Sequence, residues 1–250
     1  MTTDKFGEVN RKFWNEQANS ILDQDWVLQL CQQVRDCLQS SVDWIEIRKS
    51  SPGGPPTKMI DYACGNGIVS QALFEYADII RGIDVSDAMV KAYNDLARQS
   101  DIPPARMHAV RGNFLDTGDD DTTAGADFHE VDAIIMSMAL HHAGDEQGMI
   151  SNMARRLRSK GVLVVIDWMT SASDRGHESS QTSDKPDASH SISKSSFSVD
   201  DMRQLFTEAG CEPSSIDFRP YKEASHIPES VAKVKGGVDR TFFIAKARKP

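Results

Sequence analysis

The sequence lacks long apolar runs and contains little cysteine. No stretch of the 250 residues approaches the roughly 20 consecutive apolar residues that a helix needs to cross a bilayer. The N-terminus mixes acidic and basic residues and has no apolar segment of the kind found in secretory signals. The four cysteines are too scattered for a zinc site or a disulfide framework: Cys31, Cys37, Cys64 and Cys211. We therefore expect reduced thiols, no bound metal, no membrane partner and a cytoplasmic location.

The chain also has fewer basic than acidic residues. Lys and Arg number 28 against 37 Asp and Glu, which gives a net charge of -9. This balance disfavours broad, charge-driven binding to nucleic acid or to an anionic membrane. Hydrophobic residues make up 39% of the chain, so it can form a sizeable core. The length fits one α/β domain with an accessory segment.

The chain begins with a helical segment. Apolar residues at helical spacing predict two helices within residues 6–48, with Trp26, Leu30 and Val34 on one face of the second. A linker rich in Ser, Pro and Gly follows at residues 50–56. We therefore divide the chain into a helical lead-in, 1–50, and a main domain, 51–250.

Strands and helices alternate from residue 57 onward. We predict strands at 57–63, 79–84, 106–110, 131–136, 162–166, 215–219 and 240–247. We predict helices at 67–77, 87–99, 145–158 and 198–209, with Gly161 ending the third of these. Residues 116–130 are predicted to form a surface excursion, and the polar segment 170–196 a mobile loop. The alternation predicts an α/β fold with a mostly parallel sheet and helices on both faces.

A strand that ends in a glycine turn is the most informative motif. Residues 59–67 read Met-Ile-Asp-Tyr-Ala-Cys-Gly-Asn-Gly, and glycine lets a ligand approach the backbone closely. Asp84 ends the next strand, 17 residues after Gly67, where a carboxylate can accept hydrogen bonds from both ribose hydroxyls of an adenosine ligand. The alternative is that Asp84 caps the following helix. Ser70 replaces the third glycine of a dinucleotide fingerprint, which disfavours NAD or FAD.

These motifs resemble the first and second motifs of class I S-adenosylmethionine-dependent methyltransferases. Residues 132–142 resemble the fourth, in the Leu-His-His form typical of small-molecule enzymes related to the ubiquinone-biosynthesis C-methyltransferases and of natural-product methyltransferases. The resemblance covers residues 57–168. It implies a Rossmann-like, seven-stranded sheet with an antiparallel last strand. It also implies S-adenosyl-L-methionine as cofactor, S-adenosyl-L-homocysteine as product, and the lead-in as a lid over the cofactor.

The resemblance further implies which residues bind the cofactor. Asp61 would help to position its amino group, Asn113 and Phe114 would reach the adenine, and Ser137 and Met138 would lie against the methionine part. The complete implied set is Trp14, Asp61, Ala63, Cys64, Gly65, Gly67, Asp84, Val85, Met89, Gly112, Asn113, Phe114, Ser137, Met138 and His142.

His141 and His142 are the candidate catalytic residues. Imidazole titrates near neutrality, so either ring could take a proton from a thiol or a hydroxyl. Adjacent residues on an extended strand face opposite sides, so we expect at most one to reach the substrate, and we favour His142. The alternative is that these rings only orient the loop. Other candidates are Asp167, Trp168, His177 and His190.

Our leading hypothesis is methyl transfer to the O, S or C atom of a small-molecule acceptor, with natural products of secondary metabolism and thiols as examples. The enzyme would act as a monomer or homodimer. Three alternatives stay open: a protein or RNA methyltransferase, of which the charge disfavours the RNA form; a nucleotide-dependent oxidoreductase; and a cofactor-binding protein without turnover. No Asn-Pro-Pro-Tyr or Asp-Pro-Pro-Tyr sequence follows the fourth strand, which disfavours methylation of amino groups in adenine, cytosine or glutamine.

Overall fold

Seven strands form one sheet in the computed structural model, which describes residues 4–116, 122–170 and 192–250. The helices are α1 Lys5–Leu22, α2 Asp25–Ile45, α3 Ile68–Ala72, α4 Asp87–Gln99, α5 Glu146–Arg156, α6 Val199–Glu208 and α7 Glu229–Ala232. The strands are β1 Lys58–Tyr62, β2 Ile79–Asp84, β3 Met107–Arg111, β4 Val131–Ser137, β5 Leu157–Trp168, β6 Asp217–Pro220, β7 Ser225–Ile227, β8 Val238–Arg240 and β9 Phe242–Arg248.

The sheet has the strand order β3-β2-β1-β4-β5-β9-β6. The pairs from β3 to β5 are parallel, and β9 runs antiparallel to both β5 and β6. This confirms the predicted Rossmann-like sheet of seven strands with an antiparallel last strand. The order reverses between β1 and β4, so a crevice opens beyond the carboxyl ends of these two strands.

The core forms two layers because side chains alternate across the sheet. Met59 of β1 faces a cluster that includes residues of α2, α3 and α4, whereas Ile60 faces a cluster that includes residues of α5 and α6. Helices therefore cover both faces, as predicted. Buried Val34, Leu38 and Ile45 make α2 part of this core. The two predicted lead-in helices are both present, and they differ in that α1 packs mainly against α4.

Three local predictions were wrong in detail. The helix predicted at 67–77 ends at Ala72 and gives way to a 3-10 turn at Phe74–Tyr76. Gly161 lies inside β5 instead of ending a helix, because α5 stops at Arg156 and the next residue already pairs with Val131. The predicted final strand is broken at Thr241, and its first part, β8, pairs with β7 in a small sheet that we did not predict.

Two predicted loops lie only partly within the described residues. In the excursion at 116–130, Thr123 and Phe128 are buried, so this segment does not lie wholly on the surface. Most of the predicted mobile loop, including His177 and His190, lies outside the described residues. Within the described ranges, no helix is long and apolar enough to span a bilayer.

Candidate active site

A cavity of about 870 Å³ opens at the switch point of the sheet. It lies beyond the ends of β1, β2 and β4, with α1 and α2 on its other side. The predicted site residues that line it are Trp14, Asp61, Ala63, Cys64, Gly65, Asp84, Val85, Met89, Asn113, Ser137, Met138, His141 and His142. Gly67, Gly112 and Phe114 do not line it. The structure therefore brings most of the predicted set to one cavity.

The two glycines of the turn after β1 have different structural roles. Gly65 has φ +48°, and a Cβ there would meet no atom of the described residues within 4 Å, so its backbone is open to a ligand. Gly67 has φ +83° and is the N-cap residue of α3. A Cβ at Gly67 would lie 3.2 Å from both Tyr93 and Leu96. Gly67 thus allows α4 to pack against the turn, while Gly65 leaves room in the cavity.

Asp61 places a buried carboxylate on the cavity wall. Its Oδ2 accepts hydrogen bonds from the Ser70 amide at 3.1 Å and the Ser70 hydroxyl at 2.7 Å. Its buried Oδ1 has no partner among the described residues. Burial raises the pKa of Asp61 to about 7. A buried polar atom without a partner costs free energy, so a cationic group such as the cofactor's ammonium fits beside this carboxylate.

Asp84 holds the end of β2 against the glycine turn. Its Oδ2 accepts the Gly65 amide at 3.0 Å and its Oδ1 accepts the Ser86 amide at 2.9 Å. The side chain that caps α4 is Ser86, whose Oγ accepts the Met89 amide at 3.2 Å. Burial raises the pKa of Asp84 to about 6. Each carboxylate oxygen has a second lone pair, so Asp84 keeps acceptor capacity that suits ribose hydroxyls.

Tyr62 organises the loop after β3, and sequence reasoning missed it. The Phe114 amide donates to the Tyr62 hydroxyl at 3.0 Å, and that hydroxyl donates to Asn113 Oδ1 at 3.2 Å. The Phe114 amide, which the resemblance assigns to the adenine ring, is thus bonded within the protein. Gly112 has a packing role, because a Cβ there would lie 2.9 Å from Thr123.

Helix α1 reaches the loops around the cavity through polar side chains. Asn10 Nδ2 donates to the His142 carbonyl at 3.0 Å, and Arg11 pairs with Asp87 at 3.0 Å. Asn15 Oδ1 accepts from the Ser86 hydroxyl at 2.8 Å. On the same helix, the ring of Trp14 lies edge-on to that of His142, with the centroids 6.2 Å apart. These contacts join α1 to the ends of both β2 and β4.

Both candidate histidines line the cavity, so the premise that they face opposite sides was wrong. That premise assumed an extended backbone, but Leu140–His142 is a 3-10 turn. The centroids of the two imidazole rings lie 4.1 Å apart. That at most one of the two histidines reaches the substrate stays a prediction. His141 Nδ1 lies 2.7 Å from Asp167 Oδ1, and the carboxylate is fully buried. A carboxylate partner at Nδ1 favours the tautomer with its proton there, which leaves Nε2 as the basic nitrogen.

Fold and site together have the arrangement of the class I S-adenosylmethionine-dependent methyltransferase fold. The antiparallel strand β9 lies between β5 and β6 in an otherwise parallel sheet, and a glycine turn and an acidic strand end meet at the switch point. A family model described as a methyltransferase domain matches residues 55–210, more than half of the chain. The chain therefore belongs to this methyltransferase domain family.

Several curated relatives match part of the chain. An uncharacterized methyltransferase of Schizosaccharomyces pombe is 40% identical over 110 residues, which are 44% of this chain and 38% of the relative. A ubiquinone biosynthesis O-methyltransferase of Coxiella burnetii is 27% identical over 105 residues, which are 42% of this chain and 41% of the relative. The chain thus matches about two fifths of the length of these relatives.

Solved structures match over nearly the whole chain. A geranyl diphosphate C-methyltransferase of Streptomyces coelicolor superposes with a TM-score of 0.65 over 100% of both chains, at 13% identity. An S-adenosylmethionine-dependent methyltransferase of Anabaena variabilis also has a TM-score of 0.65, at 16% identity, over 98% of this chain and 95% of the other. At these identities the likeness establishes the fold.

Proposed function

We propose that this protein transfers a methyl group from S-adenosylmethionine to a small-molecule acceptor in the cavity. One observation carries the proposal: a single cavity joins the buried carboxylates of Asp61 and Asp84 to the His141–Asp167 pair. The carboxylates suit the ammonium and ribose of the cofactor, and the histidine suits an acceptor that must lose a proton. The O- and C-methyltransferases among the similar proteins support a small-molecule acceptor. We also propose that the acceptor is a natural product or a thiol and that the protein is cytoplasmic.

The residues of the cavity would bind and align the reactants. When bound, S-adenosylmethionine supplies an electrophilic methyl group on sulfur. Asp61 would hold the ammonium, Asp84 the ribose, and Ser137 and Met138 the methionine chain. Helix α1 would act as the lid that excludes water. Methyl transfer is an in-line displacement, so alignment of the acceptor supplies much of the rate enhancement.

We propose His141, in place of the initially favoured His142, as the group that accepts the acceptor's proton. The ring of His141 is held by a buried carboxylate, and that contact directs Nε2 away from Asp167. For a hydroxyl or thiol acceptor, Nε2 would take the proton as the acceptor atom bonds to the methyl carbon and the methyl–sulfur bond breaks, with S-adenosylhomocysteine as the leaving group. His142, between Trp14 and His141, would shape the cavity wall.

Calorimetry and labelled-methyl transfer test this function. S-adenosylhomocysteine should bind the full chain, and Asp84→Asn should weaken that binding by about tenfold because hydrogen bonds to a charged acceptor are lost. Asp95→Asn, on the exposed face of α4, is the matched control and should bind normally. Labelled methyl should enter one class among thiols, phenols, carboxylic acids and amines. Transfer into a protein extract alone would contradict the small-molecule assignment.

A further inference from the structure

Asp4, a residue that sequence reasoning did not select, lies beside Asn113 on the cavity wall. Asn113 Nδ2 donates a hydrogen bond to Asp4 Oδ2 at 2.9 Å, and Asp4 Oδ1 accepts the Phe6 amide at 3.0 Å as the N-cap of α1. Gly7 allows this contact, because a Cβ there would lie 2.6 Å from Asn113 Nδ2 and 2.8 Å from Asp4 Oδ2. The start of α1 therefore meets the loop after β3 at the cavity.

The pair of Asp4 and Asn113 lies at one end of a row of polar groups that follows the strand order. Asp61 is on β1, Asp84 ends β2 and Asn113 follows β3, and these strands are neighbours in the sheet. Neighbouring strands lie about 4.8 Å apart, so the three groups can contact successive parts of one extended ligand. With the ammonium at Asp61 and the ribose at Asp84, the adenine base would lie at the loop after β3, beside the pair.

The oxygen of the Asn113 amide is already used by two protein donors. The Leu115 amide donates to Asn113 Oδ1 at 3.0 Å and the Tyr62 hydroxyl donates to it at 3.2 Å, which accounts for both lone pairs of that oxygen. The 6-amino group of adenine is a hydrogen-bond donor, so it needs another acceptor. A carboxylate has about four lone-pair sites, and the side chain of Asp4 accepts two hydrogen bonds from the described residues. Asp4 therefore keeps acceptor capacity beside the base.

The nitrogen of the same amide keeps a donor. An amide nitrogen carries two hydrogens, and among the described residues Asp4 accepts one of the two on Asn113. The other can be donated to N1 of adenine, which is an acceptor next to the 6-amino group. The Phe114 amide, by contrast, is already bonded to the Tyr62 hydroxyl. Asp4 and Asn113 thus present an acceptor and a donor 2.9 Å apart, which are the two groups that complement the Watson–Crick edge of adenine.

We infer that Asp4 and Asn113 together read the adenine base of the cofactor, with Asp4 Oδ2 accepting from the 6-amino group and Asn113 Nδ2 donating to N1. The inference rests on the proposed cofactor site and makes a residue at the start of α1 part of it. Hypoxanthine has an acceptor at O6 and a donor at N1, so both hydrogen bonds would be replaced by contacts between like groups. The pair should therefore select adenine over hypoxanthine.

Calorimetry with S-adenosylhomocysteine and S-inosylhomocysteine tests the inference, because these ligands differ only in the base. The full chain should bind the adenosyl ligand at least about tenfold more tightly. Asp4→Ser should lower that preference to about threefold or less, since the shorter hydroxyl can still cap α1 but no longer reaches the base. Glu8→Ser, an exposed change in the first turn of the same helix, is the matched control and should keep the preference.

A substitution at Asn113 separates this inference from recognition by the Asn113 oxygen alone. Asn113→Asp keeps an acceptor but removes the donor and places a second carboxylate beside Asp4, so it should weaken S-adenosylhomocysteine binding and reduce the preference. A preference that survives in either variant, including an equal loss of affinity for both ligands, would overturn the inference. Failure of the proposed function would differ, because S-adenosylhomocysteine would then not bind the unaltered chain.

Discussion

His141 Nδ1 lies 2.7 Å from Asp167 Oδ1, while Asp167 Oδ2 accepts the His141 backbone amide at 3.1 Å. One buried carboxylate at the end of β5 therefore fixes both the ring and the backbone of a residue in the turn after β4. The His141 carbonyl is held as well, by the Ser193 amide at 2.8 Å. This histidine is oriented before any ligand arrives, which is the arrangement that proton transfer requires.

Asp167→Asn should slow methyl transfer without weakening cofactor binding. The amide keeps the shape of the side chain but removes the charge that stabilises a protonated His141. We expect kcat to fall by about 10- to 100-fold for a hydroxyl acceptor, with KM nearly unchanged. A thiol that is already ionised needs no base, so its methylation should be much less affected. An equal loss for both acceptors would assign Asp167 a purely structural role.

The buried carboxylates should link cofactor binding to pH. Burial raises the pKa of Asp61 to about 7 and that of Asp84 to about 6. Between about pH 4 and pH 7 these two groups bind more protons in the folded, ligand-free protein than in the unfolded chain, so their contribution to the free energy of unfolding falls as pH rises. An ammonium and ribose hydroxyls favour the ionised carboxylates. S-adenosylhomocysteine should therefore bind more tightly as pH rises from about 5.5 to about 8.

Calorimetry in buffers of different ionisation enthalpy measures the protons released by binding. Near pH 6 the native protein should release protons, and Asp61→Asn should release fewer. Asp95→Asn is again the surface control and should leave the release unchanged. Affinity that does not change across this pH range would contradict the assigned roles of both carboxylates.

Substitution of the two turn glycines by alanine should separate binding from stability. Gly67→Ala places a Cβ 3.2 Å from Tyr93 and Leu96 at a positive φ, so it should cost about 2 kcal/mol of unfolding free energy. Gly65→Ala meets open space at φ +48° and should cost only about 1 kcal/mol. The Gly65 variant should nevertheless lose more S-adenosylhomocysteine affinity, since its methyl group enters the cavity. Denaturant unfolding measures the loss of stability, and calorimetry measures the loss of affinity. If the Gly65 variant lost less S-adenosylhomocysteine affinity than the Gly67 variant, Gly65 would not face the ligand.

The polar contacts of α1 should matter more for turnover than for folding. Combining Arg11→Gln with Asn15→Ala removes the links to Asp87 and Ser86. We expect KM for S-adenosylmethionine to rise several-fold, while the melting temperature falls by no more than about 4 °C. Lys12→Gln, an exposed change on the same helix, is the control. A large loss of stability with normal KM would show that α1 is a structural helix and not a lid.

Much of the fold and of the cofactor half of the site could be predicted from local sequence. Strands and helices can be told apart by the spacing of their apolar residues, which is a local property of the sequence. The glycine turn, Asp61 and Asp84 lie within 24 residues of one another. Parallel strands place such motifs at a common edge by topology alone. The different roles of Gly65 and Gly67 could not be predicted from the sequence, because they depend on which of the two Cβ positions α4 packs against.

The rest depended on contacts between distant parts of the chain. Nothing local joins His141 to Asp167 or Asn10 to the His142 carbonyl. Residues 140–142 form a 3-10 turn and not an extended strand, so the side chains of His141 and His142 do not alternate between opposite faces and both line the cavity. Sequence by itself therefore determined the family, the sheet and the placing of Asp61 and Asp84 at one end of the strands, because these follow from periodicity and short motifs. Only tertiary structure decided that His141 pairs with Asp167 and that α1 and α2 line the cavity, because those depend on side chains that meet only after the sheet has formed.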